Sequence, residues 1–334
     1  MARIRLEDIA AHSGVSIATV SRVLNKPEMV SLNTRNQVLH SIDTLGHPHP
    51  NRFNESSRPR MGIIVAQLTN PIFAHFASSF ASIASAHGLI PHITCEYPGS
   101  GHEAALVESM AHPPYQGVVF VSGHHSDSTS ELQIYKKLQQ RRFPFVVVNG
   151  PLKGVPSFTT DDKAGINLAI THLAQLGHKR IGLINGDEKY YPAAIKKREF
   201  LSACSKYKMK EYQVFSTLYS AEAGGQAALE AVKQGMTGLI FASDLMAVGA
   251  LSSLRDAGFN IPEDVSIIGY DGWDITSELN PPLTTIQQSV DSICEQAFKT
   301  LVSLINGDTL LTHSLMFSPL LVTRSSTGVA PQRL

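Results

Sequence analysis

The chain has 334 residues, 43% hydrophobic and 17% charged, with a formal net charge of zero when histidine is neutral. That is long enough for two or three domains with cores of their own, and too apolar for a disordered chain. The three cysteines lie far apart with no C-x-x-C pair, which excludes a disulfide framework or zinc site, and no apolar run approaches the ~18 residues of a membrane span.

MARIRLEDIA lacks the apolar core of a signal peptide and passes straight into an amphipathic pattern, so a cytoplasmic protein is expected. The charge is uneven. Residues 1–60 hold eight bases (Arg3, Arg5, Arg22, Lys26, Arg35, Arg52, Arg58, Arg60) against five acids (Glu7, Asp8, Glu28, Asp43, Glu55), +3 for the head and so −3 for the rest. A small basic head on a slightly acidic body suggests one polyanion-binding module.

Three short helices are predicted in that head. Leu6, Ile9 and Ala10 have helical spacing over 6–12; Gly14 then supplies a positive φ, and Ser16 is a natural N-cap. From Ile17 to about Asn25, Val20, Val23 and Leu24 form an inward stripe with Val15, leaving Ile17, Ala18, Ser21 and Arg22 outside. Val30-Ser31 caps a third helix whose Val38, Leu39, Ile42 and Leu45 close the small core. Helix, glycine turn, helix and support helix make a helix-turn-helix, although SGVS is also compatible with an ordinary corner in an all-α head. In the DNA-binding reading, a small apolar side chain at the start of the second helix meets a thymine methyl and Arg22 reaches guanine O6 and N7. Ser16, Thr19, Ser31 and Arg35 are then placed to hold phosphates.

From residue 61 short apolar runs alternate with helical patterns. Strands are predicted at 61–68, 89–96, 117–123, 143–149, 180–186, 238–244 and 265–271, and helices at 72–87, 102–112, 163–176, 222–234 and 245–257. The alternation implies βαβ units in two doubly wound, parallel-sheet lobes, before and after about residue 160. A ligand would then bind beyond the carboxyl ends of the strands, between the lobes.

LEDIAAHSGVSIATVSRVLN, followed by VSLNTRNQVL, resembles the headpiece of the LacI/GalR repressors. NPIF (70–73), HLAQLGHKRIGLI (172–184), ASDLMAVGALSSLRDAGFNIPEDVSIIGYD (242–271) and PPLTTIQQ (281–288) resemble that family's effector domain, itself similar to periplasmic sugar-binding proteins. The resemblance spans nearly the whole chain. It implies a helix-turn-helix headpiece over 1–48, a linker or hinge over 49–60 and an effector-binding and dimerisation domain over 61–334. Within the last, lobe 1 covers 61–158 and 291–318 and lobe 2 covers 162–286 and 322–331, with crossings near 157–162, 286–291 and 318–322. Asn25, the last residue of the first motif, joins the DNA-binding set. Carried over by position, the effector residues are Ile72, Phe73, Ser122 and Asn149 in lobe 1 and Lys196, Tyr219, Ser243 and Asp271 in lobe 2. Their hydroxyls, amide, carboxyl and rings suit a polyhydroxylated ligand. By their own chemistry, Asp271 could equally cap the turn after its strand, and Phe73 and Tyr219 could be lobe core.

Two departures stand out. The family commonly carries R-x-x-G-F/Y, whose Arg forks onto the ligand; IKKREF (195–200) puts Lys196 at the Arg and Glu199 at the Gly. A similar Lys and GYDGWD (269–274) resemble the gluconate-type branch, which favours a sugar acid or phosphosugar as effector. The linker also lacks the family's P-N-x-x-A-R-x-L, and Pro50 stands only twelve positions before Gly62. Asn51 and Phe53 are its candidates for a minor-groove wedge.

GSGHEA (99–104) matches a dinucleotide-binding glycine pattern but follows the second strand of its lobe rather than the first, and the histidine pairs 47/49 and 124/125 lack ligand spacing. No catalytic residue, metal or cofactor is therefore expected. The partners expected are a pseudo-palindromic double-stranded DNA operator, a sugar or sugar-acid effector and a second copy in a homodimer, with no membrane. The reading is a ligand-responsive transcriptional regulator, most simply a repressor of a carbohydrate or sugar-acid catabolic operon. Its rivals are a plain sugar-binding protein, which should begin with a signal peptide and lack the head, and a Rossmann-type enzyme, which should show a catalytic dyad.

Overall fold

A computed structural model describes residues 5–25, 30–45, 58–96, 103–308 and 314–332, in two units, Met1–Pro59 and Arg60–Leu334. The first holds α1 (Leu6–Ser13), α2 (Ile17–Asn25) and α3 (Leu32–Thr44). Ile9, Ala10, Val20, Val23, Val38 and Ile42 are buried at their centre, with Val15, Leu24, Val30, Leu39 and Leu45 packed around them. Leu6 departs from the expected stripe: in the first turn of α1, it is 38% exposed, beyond the reach of this small core. The Ser16 hydroxyl accepts the Thr19 N–H (3.1 Å) and the Ser31 hydroxyl the Thr34 N–H (3.3 Å), so both helices start on the expected caps.

Between α1 and α2, Gly14 sits at φ 66° with its N–H bonded to the Ala10 carbonyl. A Cβ there would touch nothing, so the constraint is the left-handed backbone alone. Gly14→Ala is expected to cost about 1 kcal/mol, read as roughly fivefold faster hydrogen exchange of the α1–α3 amides in the intact chain. Unchanged exchange would remove the turn from the stability of the unit.

In the second unit β1 (Arg60–Val65), α4 (Pro71–Ala86), β2 (Ile90–Cys95), α5 (Glu103–Met110), β3 (Tyr115–Val121), α6 (Gln133–Gln140), β4 (Phe145–Val148) and β5 (Ser157–Thr160) build one lobe. The other lobe takes α7 (Asp162–Gln175), β6 (Arg180–Asn185), α8 (Tyr191–Lys206), β7 (Glu211–Ser216), α9 (Ala221–Lys233), β8 (Gly238–Phe241), α10 (Asp244–Asp256), β9 (Ser266–Asp271) and β10 (Thr284–Gln287). The chain returns to the first lobe for α11 (Val290–Ile305) and β11 (Ser314–Phe317) and ends in the second with β12 (Leu320–Val322). It thus passes between lobes at 161, 288–289 and 318–319.

The sheet orders are β11-β5-β4-β3-β1-β2 and β12-β10-β9-β8-β6-β7, parallel throughout except for the β10/β12 pair. The central strands β1, β3, β4, β6, β8 and β9 are buried on both faces, which is why they read as continuous apolar runs rather than alternating ones. Along β3, Val119 and Val121 face the core shared with α4 and α11, while Val118 and Phe120 face Tyr135 and Leu138 of α6. Along β8, Leu239 and Phe241 pack towards α9 and α10, and Ile240 towards α7.

Candidate functional site

The carboxyl ends of the two sheets border an open cavity of about 720 Å³, a figure that includes its solvent-filled mouth. All eight residues placed there by sequence, Ile72, Phe73, Ser122, Asn149, Lys196, Tyr219, Ser243 and Asp271, line it. Ser122, Asn149 and Asp271 each follow or end a strand and have positive φ (55°, 64° and 121°). Such backbone is costly for residues with a Cβ and persists where surrounding structure enforces it, commonly at ligand sites.

Each side chain is held by a nameable contact. The Asn149 amide Nδ2 donates to the Ser122 hydroxyl (3.1 Å). Ser243 caps α10, its oxygen accepting the Met246 N–H (3.4 Å) while its own O–H is left to donate. Phe73 packs against the core of the first lobe and Tyr219 against that of the second, so core and cavity wall are the same residues. Gly186 lets Tyr219 approach: a Cβ there would lie 2.0 Å from the Tyr219 ring.

Asp271 accepts from Gln288 Nε2 (2.7 Å). Burial raises its carboxyl well above the ordinary range, with repulsion from Asp244 adding to this and Lys196 opposing it. A carboxyl in either protonation state can bond a ligand hydroxyl. The turn after β9 is indeed capped by a carboxylate, but by Asp244, which accepts the N–H groups of Gly272 (2.8 Å) and Trp273 (2.7 Å) and the Thr285 hydroxyl (2.6 Å). Burial pushes Asp244 up to about 7 against those three donors.

Lys196 is 4% exposed, and its Nζ lies 2.6 Å from Asp162 Oδ1 and 4.0 Å above the Tyr270 ring. The Tyr270 hydroxyl donates to the same carboxylate oxygen (2.6 Å), across a helix where a Cβ on Gly165 would meet it at 2.6 Å. The lysine charge is therefore met inside the protein. Arg198 points elsewhere, its side chain 67% exposed and paired with Glu199.

Sequence reasoning missed Gln67, Asn70, Ser126, Tyr190, Pro192 and Gln288. Asn70 and Gln288 sat inside quoted motifs. Asn70 lines the cavity, and its Oδ1 is buried with no hydrogen-bond partner among the described residues. Gln67, Ser126 and Tyr190 lie in the loops and turns that follow strands, and Pro192 in the first turn of α8, positions that spacing does not tie to the cavity.

On α2, Ile17 (48% exposed), Ala18 and Arg22 are exposed, while Thr19 and Ser21 are half-buried. Ser16 and Ser31 are exposed at the starts of α2 and α3, Arg35 is half-buried on α3, and Asn25 ends α2. Asn51 and Phe53, the 47/49 histidines and most of the GSGHEA stretch lie outside the described residues. Among the described residues no three histidine, cysteine or acidic side chains are grouped as metal ligands, and no helix is long and apolar enough to cross a membrane.

Residues 5–51 match the model of bacterial regulatory proteins of the lacI family, and residues 170–327 that of periplasmic binding protein-like domains. The chain is 38% identical over 331 residues to an HTH-type transcriptional regulator in the aml 5′ region of Streptomyces limosus, covering 97% of this chain and 94% of that one. It is 37% identical to the HTH-type transcriptional regulator MalR of Streptomyces coelicolor, covering 98% and 97%. Among solved structures, the complex of the transcriptional regulator CelR with cellobiose superposes with a TM-score of 0.71 at 26% identity, covering 97% of this chain and 100% of that one.

Proposed function

The chain belongs to the lacI family of bacterial regulatory proteins and is a DNA-binding transcriptional regulator, and from that premise we propose that it responds to a neutral saccharide held between the two lobes. The observation that carries this is the pairing of Lys196 with Asp162. Lys196 alone favours a sugar acid; with its charge met by a buried carboxylate, the cavity offers no spare cation among the residues lining it. What it does offer are hydroxyls, amides and the Asp271 carboxyl, with Phe73 and Tyr219 among the same lining residues, the mixture that takes a pyranose edge and face. The binding of cellobiose by CelR supports a saccharide here.

Ser16, Ile17, Ala18, Thr19, Ser21, Arg22, Asn25, Ser31 and Arg35 form the DNA-contacting set in this reading. A homodimer presents two α2 helices to half-sites about one helical turn apart. Ligand binding changes the angle between lobes, and with it operator affinity, by a coupling of about 1–3 kcal/mol. The cavity is a binding cleft in a cytoplasmic regulator, not an active site.

The test is to incubate the protein with sheared genomic DNA, sequence what it retains, and titrate the enriched fragment with cellobiose, ribose and gluconate. One pseudo-palindrome is expected, with an affinity that changes about 5–150-fold with a neutral sugar and not with gluconate. A response to gluconate alone would overturn the neutral-saccharide reading.

A further inference from the structure

The lobes touch beside the cavity at a place distinct from the three chain crossings. The Ser128 N–H donates to the Lys189 carbonyl (2.8 Å), Asp127 and Tyr190 form an antiparallel bridge, and Lys189 Nζ lies 3.5 Å from Asp127 Oδ2. Each arm of this contact adjoins a residue lining the cavity: Ser126 precedes Asp127, and Tyr190 follows Lys189. Lys189 Nζ also lies 5.0 Å above the Tyr190 ring. A molecule that settles against Ser126 and Tyr190 therefore acts directly on the two segments that join the lobes.

The arm on the first lobe is fixed from beneath. Glu103, wholly buried at the start of α5, accepts the His124 N–H (3.0 Å) and the Tyr135 hydroxyl, and that hydroxyl also accepts the His125 N–H (3.2 Å). His124 Nδ1 lies 3.3 Å from the same carboxylate. His125 is buried with its Nε2 on the Val148 carbonyl (3.0 Å). Together these pin the 3-10 turn His124–Ser126, and the Asp127 carboxylate is aimed by accepting the Thr129 N–H (2.8 Å) and hydroxyl (2.6 Å). Sequence gave Glu103 and the 124/125 histidines no role.

We propose that Asp127 and Lys189 form a clasp that holds the lobes closed over the ligand, and that Glu103, through Tyr135 and the His124–Ser126 turn, is the positioning residue that sets its arm. The proposal rests on the cavity being the effector site, but the clasp can be read without any ligand.

Nitroxide labels at Lys136 and Glu222, both exposed and on opposite lobes, in a Cys95→Ser background, report the distance between lobes in the intact chain. Lys189→Arg is expected to keep the wild-type distribution. Lys189→Met should raise the ratio of open to closed molecules about two- to fivefold, and Lys189→Glu, which faces Asp127 with a like charge, should raise it further. Salt at 1 M should shrink the gap between Met and Glu. Tyr135→Phe, which removes the hydroxyl but keeps the ring in the core, should also shift the ratio towards open.

Superimposable distributions for Arg, Met and Glu would overturn the clasp, and a shift without that charge order would too. An unchanged distribution in folded Tyr135→Phe would remove Glu103 from it. Cellobiose and ribose are then added to each sample. If the charge order holds while neither sugar alters any distribution, the clasp stands and the choice of saccharide fails; the two failures are separate.

Discussion

Lys196→Met is expected to lower the stability of the chain by about 3–5 kcal/mol, and Asp162→Asn added to it to return most of that loss. Lys196 and Asp162 are both almost fully buried, and once the ammonium is gone the Tyr270 hydroxyl is the side-chain partner left to the carboxylate among the described residues. An unpaired buried carboxylate carries its whole desolvation cost, whereas an amide of the same shape facing a thioether carries far less. The Tyr270 ring beneath Lys196 loses its cation as well, a smaller term. Urea unfolding of the two single variants and the double variant closes the cycle. A loss under 1 kcal/mol in Lys196→Met would mean that the buried pair carries no net charge separation, and the argument for an uncharged ligand would fall with it. In the folded double variant, sugar affinity asks a second question. If it is unchanged, Lys196 shapes the cavity wall without touching the ligand.

The same pair shows how far sequence reaches. That a lysine replaces the family's arginine is plain in IKKREF, and its place on the cavity wall follows from the resemblance. That its charge is already met is not legible, because Asp162 lies 34 positions away and meets it only where α7 packs on α8. Strands buried on both faces, such as GVVFVSG, are visible as apolar runs. SFTT and TTIQ, which become β5 and β10, are not: their Ser and Thr side chains are buried by hydrogen bonding, as in Thr285 to Asp244 and Thr160 to Gln288, rather than by apolar contact. β11 and β12 are short edge strands with half-exposed patterns and leave an equally weak trace. α11 is different. Val290, Ile293, Cys294, Ala297, Phe298 and Leu301 carry a clear helical period that is legible at the 291–318 return to the first lobe but is not among the predicted helices.

Lobe geometry and ligand chemistry meet at a few strand ends. Ser122, Asn149 and Asp271 occupy strained backbone at the ends of β3, β4 and β9, and each is fixed by a neighbour from another element: Ser122 and Asn149 by one another, Asp271 by Gln288. Gln288 lies where the chain leaves β10 for α11, and its Oε1 accepts from Thr160 beside the first crossing. Asp271 is thereby one hydrogen bond from the second lobe crossing and two from Thr160 beside the first. If the effector binds Asp271 as proposed, this chain of contacts is a short physical route from the cavity to the angle between lobes.

Arg22→Ala and Arg35→Ala are expected to weaken operator binding in different ways. Arg22 is exposed on α2 beside Ile17 and Ala18, and it makes no ion pair among the described residues, so its fork is free to take guanine O6 and N7. Its loss should cost about 1–3 kcal/mol on the selected operator and almost nothing on sites that already lack that guanine, relaxing preference at one base pair in each half-site. Arg35 lies on α3, half-buried, one turn after the Ser31 cap. A phosphate contact there should weaken every sequence alike and reduce the slope of log K against log salt by about one. Binding of a randomised duplex pool at two salt concentrations, sequenced before and after retention, separates the two outcomes. If both variants lose affinity uniformly, α2 holds the backbone rather than the bases, and sequence must be read elsewhere in the head. If only Arg22→Ala changes the preferred base, the exposed apolar start of α2 has its explanation: Ile17 and Ala18 lie where thymine methyls would, one turn from the arginine that reads guanine.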